Sequence, residues 1–79
     1  MQITVGDKIY IILDMENNEV YDIAYDFASV KESLTLTGNG KYTVEVWTYE
    51  NDFHWYFNTS IEYLVVQGEV YKKKYEKQL

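Results

Sequence analysis

VYDIAYDFASVKESL, residues 20–34, decides the fold, because two periodicities meet inside it. In its first half Tyr21, Ile23, Tyr25 and Phe27 alternate with Asp22, Ala24 and Asp26, the pattern of a strand with one wet face. In its second half Phe27, Val30 and Leu34 fall at i, i+3 and i+7, and Asp26 stands where a helix N-cap belongs. The preferred reading is a strand that stops at Asp26 and a short helix near residues 27–35. Alternation that persists as far as Ser29 keeps an all-β chain as the alternative.

Upstream, a Gly6-Asp7 turn signal precedes KIYIILDM, a β-rich apolar run that predicts an interior strand from Lys8 to Met15. Glu16-Asn17-Asn18-Glu19 is a polar turn, so the first two strands should form a hairpin. Downstream, Gly38-Asn39-Gly40 supplies left-handed backbone for a tight connection into a strand from Tyr42 to Tyr49. Asn51-Asp52 turns the chain again, and DFHWYFN returns beside it. IEYLVV and EVYKKKY flank Gln67-Gly68 and predict a last hairpin. A C-terminal helix through Ile61, Leu64 and Val65 competes with that hairpin, but Gly68 and the β-branched content weaken it. The expected class is α+β: a small, mainly antiparallel sheet of about five or six strands with one short helix. Residues 1–71 form one domain, and residues 72–79 a basic tail.

A chain of 79 residues buries only about 60–65% of the surface its unfolded form exposes, so each large ring weighs on stability. Without cysteine, neither disulfides nor thiolate zinc sites can supplement that core. The cysteine-free composition, and a start (MQITVGDK) without a basic, then apolar leader, point to the cytoplasm. The longest apolar runs are too short to span a bilayer.

Charge is distributed unevenly. Residues 1–71 hold twelve acidic residues against Lys8, Lys31 and Lys41, a balance of −9, while residues 72–79 carry +3. A body this acidic repels nucleic acid, and the absence of arginine removes the usual bidentate reader of phosphate and guanine. Its natural complement is a basic protein surface. Asp14, Glu16, Glu19, Asp22 and Asp26 crowd a window without lysine and form the candidate acidic contact; solubility is their ordinary role.

No reaction is written in the motifs. Asp14, Glu16 and Asn18 alternate as in a calcium loop, but Glu19 replaces the required sixth-position glycine and Tyr25 the twelfth-position glutamate. His54 has no second histidine or cysteine with which to build a zinc site, and Ser29, Ser33 and Ser60 sit in no nucleophile elbow. No catalytic residue, metal or cofactor is therefore assigned, and the chain is read as a non-enzyme.

The aromatic hairpin is the other candidate surface, and its turn length decides which rings meet. A two-residue turn at Asn51-Asp52 pairs Trp47 with Tyr56 and Tyr49 with His54, leaving those four as a partner-binding cluster. It puts Phe53, Trp55, Phe57, Val44 and Val46 inside. A three-residue turn at 50–52 instead gathers Trp47, Tyr49, Phe53, Trp55 and Phe57, with His54 and Tyr56 opposite.

KIYIILDMENNEVYDIAYDFASVKESL, residues 8–34, resembles a pattern common in short phage and mobile-element reading frames: strand, acidic turn, strand, small helix. In size and acidity the whole chain is similar to phage-encoded inhibitors of bacterial defence or nucleic-acid enzymes, anti-CRISPR proteins among them. That resemblance implies a stoichiometric inhibitor in the host cytoplasm, one that occupies the basic site of a nucleic-acid-binding enzyme. Two alternatives from other classes stand beside it. One is an oligomerising accessory protein that homodimerises through the aromatic hairpin. The other is a small-ligand binder that stacks a sugar or base on Trp47, Tyr49 or Tyr56.

Overall fold

The β-rich run after Gly6-Asp7 forms β1 (Lys8–Asp14), and the polar turn returns the chain as β2 (Glu19–Ala24). This computed structural model describes residues 3–51 and 53–73. Asp14 closes the turn itself: its carboxylate accepts the Glu16 and Asn17 backbone N–H groups at 3.0 and 3.2 Å and the Asn17 side-chain amide at 2.8 Å. An aspartate that makes these bonds ends a strand without help from neighbours.

Asp26 then caps a helix, accepting the Ser29 N–H at 2.8 Å, and α1 runs Phe27–Thr37. It ends where Gly38 adopts φ 84° and returns its N–H to Thr35 O. The helix is slightly longer than its apolar spacing predicts, and the all-β alternative is not realised. Val30 and Leu34 are fully buried; Phe27, the third member of the spacing, is half-exposed against Tyr10.

β3 (Gly40–Asn51) alternates cleanly, with Tyr42, Val44, Val46 and Thr48 buried. At Gly40 a side chain would stand 2.9 Å from the Tyr42 ring, so the start of β3 requires glycine. DFHWYFN and IEYLVV, which look like separate strands, fuse into one long β4 (His54–Val66). A bulge makes the fusion possible: Val46 pairs with Thr59 and Trp47 with Phe57, leaving Asn58 extra, and the Asn58 side-chain carbonyl accepts the buried Thr48 hydroxyl. Gln67-Gly68, both with positive φ, then turn the chain into β5 (Glu69–Lys72). Asn39 ties this turn to the helix end, its side-chain carbonyl accepting the Gln67 N–H at 2.9 Å. The competing C-terminal helix does not form; residues 74–79 of the expected basic tail lie outside the described residues.

The five strands form one antiparallel sheet in the order β2-β1-β3-β4-β5. The α+β class and the hairpin plan hold. α1 packs on one face, where Ile12, Ala24, Val30, Leu34, Tyr42, Val44, Tyr63 and Val65 make the core. Burial there pushes the Tyr63 hydroxyl above its usual ionisation range. Extents of 39 × 36 × 22 Å fit a broad sheet covered by a single layer.

One expectation is reversed by the helix. The alternation over residues 20–27 assigns Ile23 and Tyr25 to the dry side and Asp22 and Ala24 to water. Instead Ala24 is buried under α1 and Asp22 accepts the Ser33 hydroxyl at 2.7 Å, while Ile23 and Tyr25 face away from the helix. Tyr21 is the extra residue of a bulge between the Ile12↔Asp22 and Leu13↔Val20 pairs. Ala24 explains the choice of side: a methyl group leaves room for a helix that begins three residues later, and isoleucine or tyrosine does not.

Candidate functional site

Opposite the helix, no element of the described chain covers the sheet. Strand alternation places Ile9, Ile11 and Leu13 of β1 there, with Ile23 beside Ile11 and Trp47 beside Ile9. Ile12 is the buried neighbour of two of these residues, so β1 is apolar on both faces. Strands with that composition are ordinarily covered on both sides.

The aromatic hairpin contributes the rest. Trp47 packs edge-on against Phe57 with centroids 5.5 Å apart, and Tyr49 against Trp55 at 5.1 Å. These four rings share the uncovered face and join the β1 aliphatics into one surface. Trp47 and Tyr49 are thus brought together as expected, but Tyr56 is not with them: it pairs with Thr48 on the helix side of the sheet. His54 pairs with Asn51, and its imidazole sits 3.4 Å from the Glu50 carboxylate, both groups exposed. The predicted cluster of Trp47, Tyr49, His54 and Tyr56 does not form. The cause is a register shift at Glu50 that moves the turn one residue along, so that His54 pairs with Asn51 across residues 52 and 53. Face membership follows the three-residue alternative except at Phe53, which occupies the turn at φ 68° and is 95% exposed. Asp52 lies outside the described residues.

The face is apolar but not uniformly so. Thr43, Glu45, Ser60 and Glu62 cross its middle, and both carboxylates have partners within the chain. Trp47 Nε1 donates to Glu45 Oε1 at 3.1 Å, and Glu62 Oε1 lies 3.1 Å from Lys73 Nζ. Beyond them Leu64 and Tyr71 are half-exposed neighbours across β4 and β5. A groove of about 530 Å³ opens there, lined by Met15, Lys41, Thr43 and Tyr71 among others. None of the rings proposed to stack a small ligand lines it.

The five acidic residues are not one free patch. Asp14 is held by its own turn, chiefly by the Asn17 side chain, which keeps its carboxyl below the usual value of 3.8. Asp22 is bonded to Ser33 and Asp26 caps α1. Glu16 and Glu19 are exposed near the β1–β2 tip. Sequence reasoning overlooks Ile9, Ile11, Ile23, Tyr25, Trp55 and Phe57 as members of the site; the doubly apolar β1 is the signal that could have found them. Among the described residues, no three His, Cys, Asp or Glu side chains converge to hold a metal ion, and no helix is long and apolar enough to cross a membrane. No family model, curated protein or solved structure matches the chain.

Proposed function

We propose that the chain is an acidic protein-binding module and not an enzyme: a stoichiometric inhibitor of the phage type, acting in the host cytoplasm on a basic, nucleic-acid-binding surface of a bacterial defence or nucleic-acid enzyme. The observation that carries the binding part is the uncovered sheet face, where Trp47, Tyr49, Trp55 and Phe57 adjoin Ile9, Ile11 and Ile23. Monomeric proteins seldom display so large an apolar area without a use, and tryptophan and tyrosine are the rings that anchor interfaces. Phe53 adds a ring held almost wholly in solvent, in a backbone conformation that costs a non-glycine residue stability. The charge of the body supports a basic partner and assigns the acids a steering role: Glu16 and Glu19 speed encounter, and the rings slow release.

The test is capture from bacterial lysate at low and high salt, repeated with two folded variants. A protein captured by the parent chain should be lost with Phe57→Lys at any salt. The double substitution Glu16→Lys/Glu19→Lys should slow association several-fold at low salt and much less at high salt. Equal capture by the parent and Phe57→Lys would remove the face from the proposal; equal rates with the charge variant would remove the basic partner. Asp22 and Asp26 are unsuitable for this test, because replacing them disturbs α1.

A further inference from the structure

We infer that the uncovered face closes on a second copy of the chain, giving a two-fold homodimer with the sheets stacked face to face and both helices outside. The inference rests on reading this face as a docking surface, and it names the occupant present when no foreign partner is. Three observations favour a second copy. The first is area: the exposed parts of Ile23, Tyr25, Phe57, Leu64 and Tyr71, with the partly buried rings and aliphatics between them, amount to on the order of 800 Å², which is what one partner contributes to a standard interface. The second is pattern. β1 is apolar on both faces and β2 turns Ile23 and Tyr25 away from its own helix, so these strands carry the composition of an inner layer. Two such sheets stack about 10 Å apart in a sandwich.

The third is charge. The chain carries −6, yet at the centre of this face Glu62 is paired with Lys73 and Glu45 accepts a hydrogen bond from the neutral Trp47 indole N–H. Removing water therefore leaves each of these two carboxylates with a partner from its own chain, a charged one only for Glu62. Glu16 and Glu19 lie at the β1–β2 tip and Asp22 and Asp26 bond toward α1, away from the contact, whereas Asp7 borders it beside Ile9, Tyr25 and Trp55. An isologous pairing has to be self-complementary, and a mainly apolar face meets that requirement where a uniformly acidic one would not.

Sedimentation equilibrium of the full chain from micromolar to millimolar concentration reads the result. The mass should rise from the 9.4 kDa of one chain toward twice that value. Added salt should strengthen the association, because it screens repulsion between two acidic bodies, whereas salt weakens a complex with a basic partner. Ile23→Lys and Phe57→Lys, each introduced twice by symmetry, should weaken dimerisation about a hundredfold or more with unchanged circular dichroism. Leu36→Lys, on the exposed side of α1, should leave it alone. A folded chain that stays monomeric at millimolar concentration overturns the inference while leaving foreign-partner capture to stand or fall separately. A dimer that survives both face variants overturns it too, because the contact then lies elsewhere.

Discussion

The two faces of the sheet carry similar side chains and meet different fates. On one face Ile12, Val44, Tyr63 and Val65 are sealed by Val30 and Leu34 of α1. On the other, Ile11, Trp47, Trp55 and Phe57 are equally apolar, and no helix or strand of the described chain covers them; only the segment before β1 comes near, with Ile3 and Asp7 beside Trp55. In a domain this small, one helix covers only one side of a five-stranded sheet, so the second side needs a partner from outside or remains wet. An apolar residue on the helix side is thus a stability residue, and on the other side, under the proposed function, an interaction residue.

Truncation gives the largest expected separation between the two. Leu34→Ala removes a side chain with no solvent exposure and should cost about 2–5 kcal/mol, a large fraction of the stability of a chain this size. Phe57→Ser removes a larger side chain from the open face and, in dilute solution, should cost about 1 kcal/mol or less, mostly its contact with Trp47. Urea unfolding of both variants checks this. Equal losses would mean that the open face is sealed in the isolated chain, and the distinction between the faces would collapse.

Which face would be sealed is only partly legible in the sequence. The helix is legible because Asp26 and the 27-30-34 spacing are local signals, and so are the hairpins, whose turn residues announce them. The side of β2 that α1 covers is not legible. Hydropathy favours the Ile23 and Tyr25 side, but Ala24 is what admits a helix, and a preference for a small residue is a matter of tertiary packing. The aromatic register fails for a similar reason. One extra residue at Glu50 moves every ring after it to the other face, and neither that bulge nor the one at Asn58 has a strong local signature. The rings that meet on this hairpin are therefore Trp47, Tyr49, Trp55 and Phe57, and not Trp47, Tyr49, His54 and Tyr56.

Phe53 sharpens the comparison at the hairpin tip, where neither face reaches. Its ring is almost fully exposed and its φ of 68° belongs to the region where glycine is at home. Phe53→Gly should stabilise the isolated chain by about 0.5–1 kcal/mol in thermal or urea unfolding, since it removes strain and little packing. The same substitution should weaken partner capture if the ring is an anchor. A loss of stability would instead assign Phe53 a packing role and take it out of the interaction surface.

The smallest effect lies in the turn that sets the β1–β2 register, and so fixes which side chains β2 shows on each face. The Asn17 side-chain amide lowers the Asp14 pKa most, desolvation opposes it, and the backbone N–H groups of Asn17 and Glu16 lower it further. A carboxyl lowered in the folded state contributes stability above its unfolded value of 3.8 and loses it as pH falls through the folded value. Asn17→Ala should accordingly raise the Asp14 pKa toward 3.8, seen by NMR titration of the carboxyl carbon. It should make the chain slightly less stable than the parent at neutral pH. The difference should shrink in acid, once Asp14 is protonated in both chains. If the gap instead persisted unchanged into acid, Asn17 would be acting through turn geometry alone, and the register would owe nothing to the Asp14 charge.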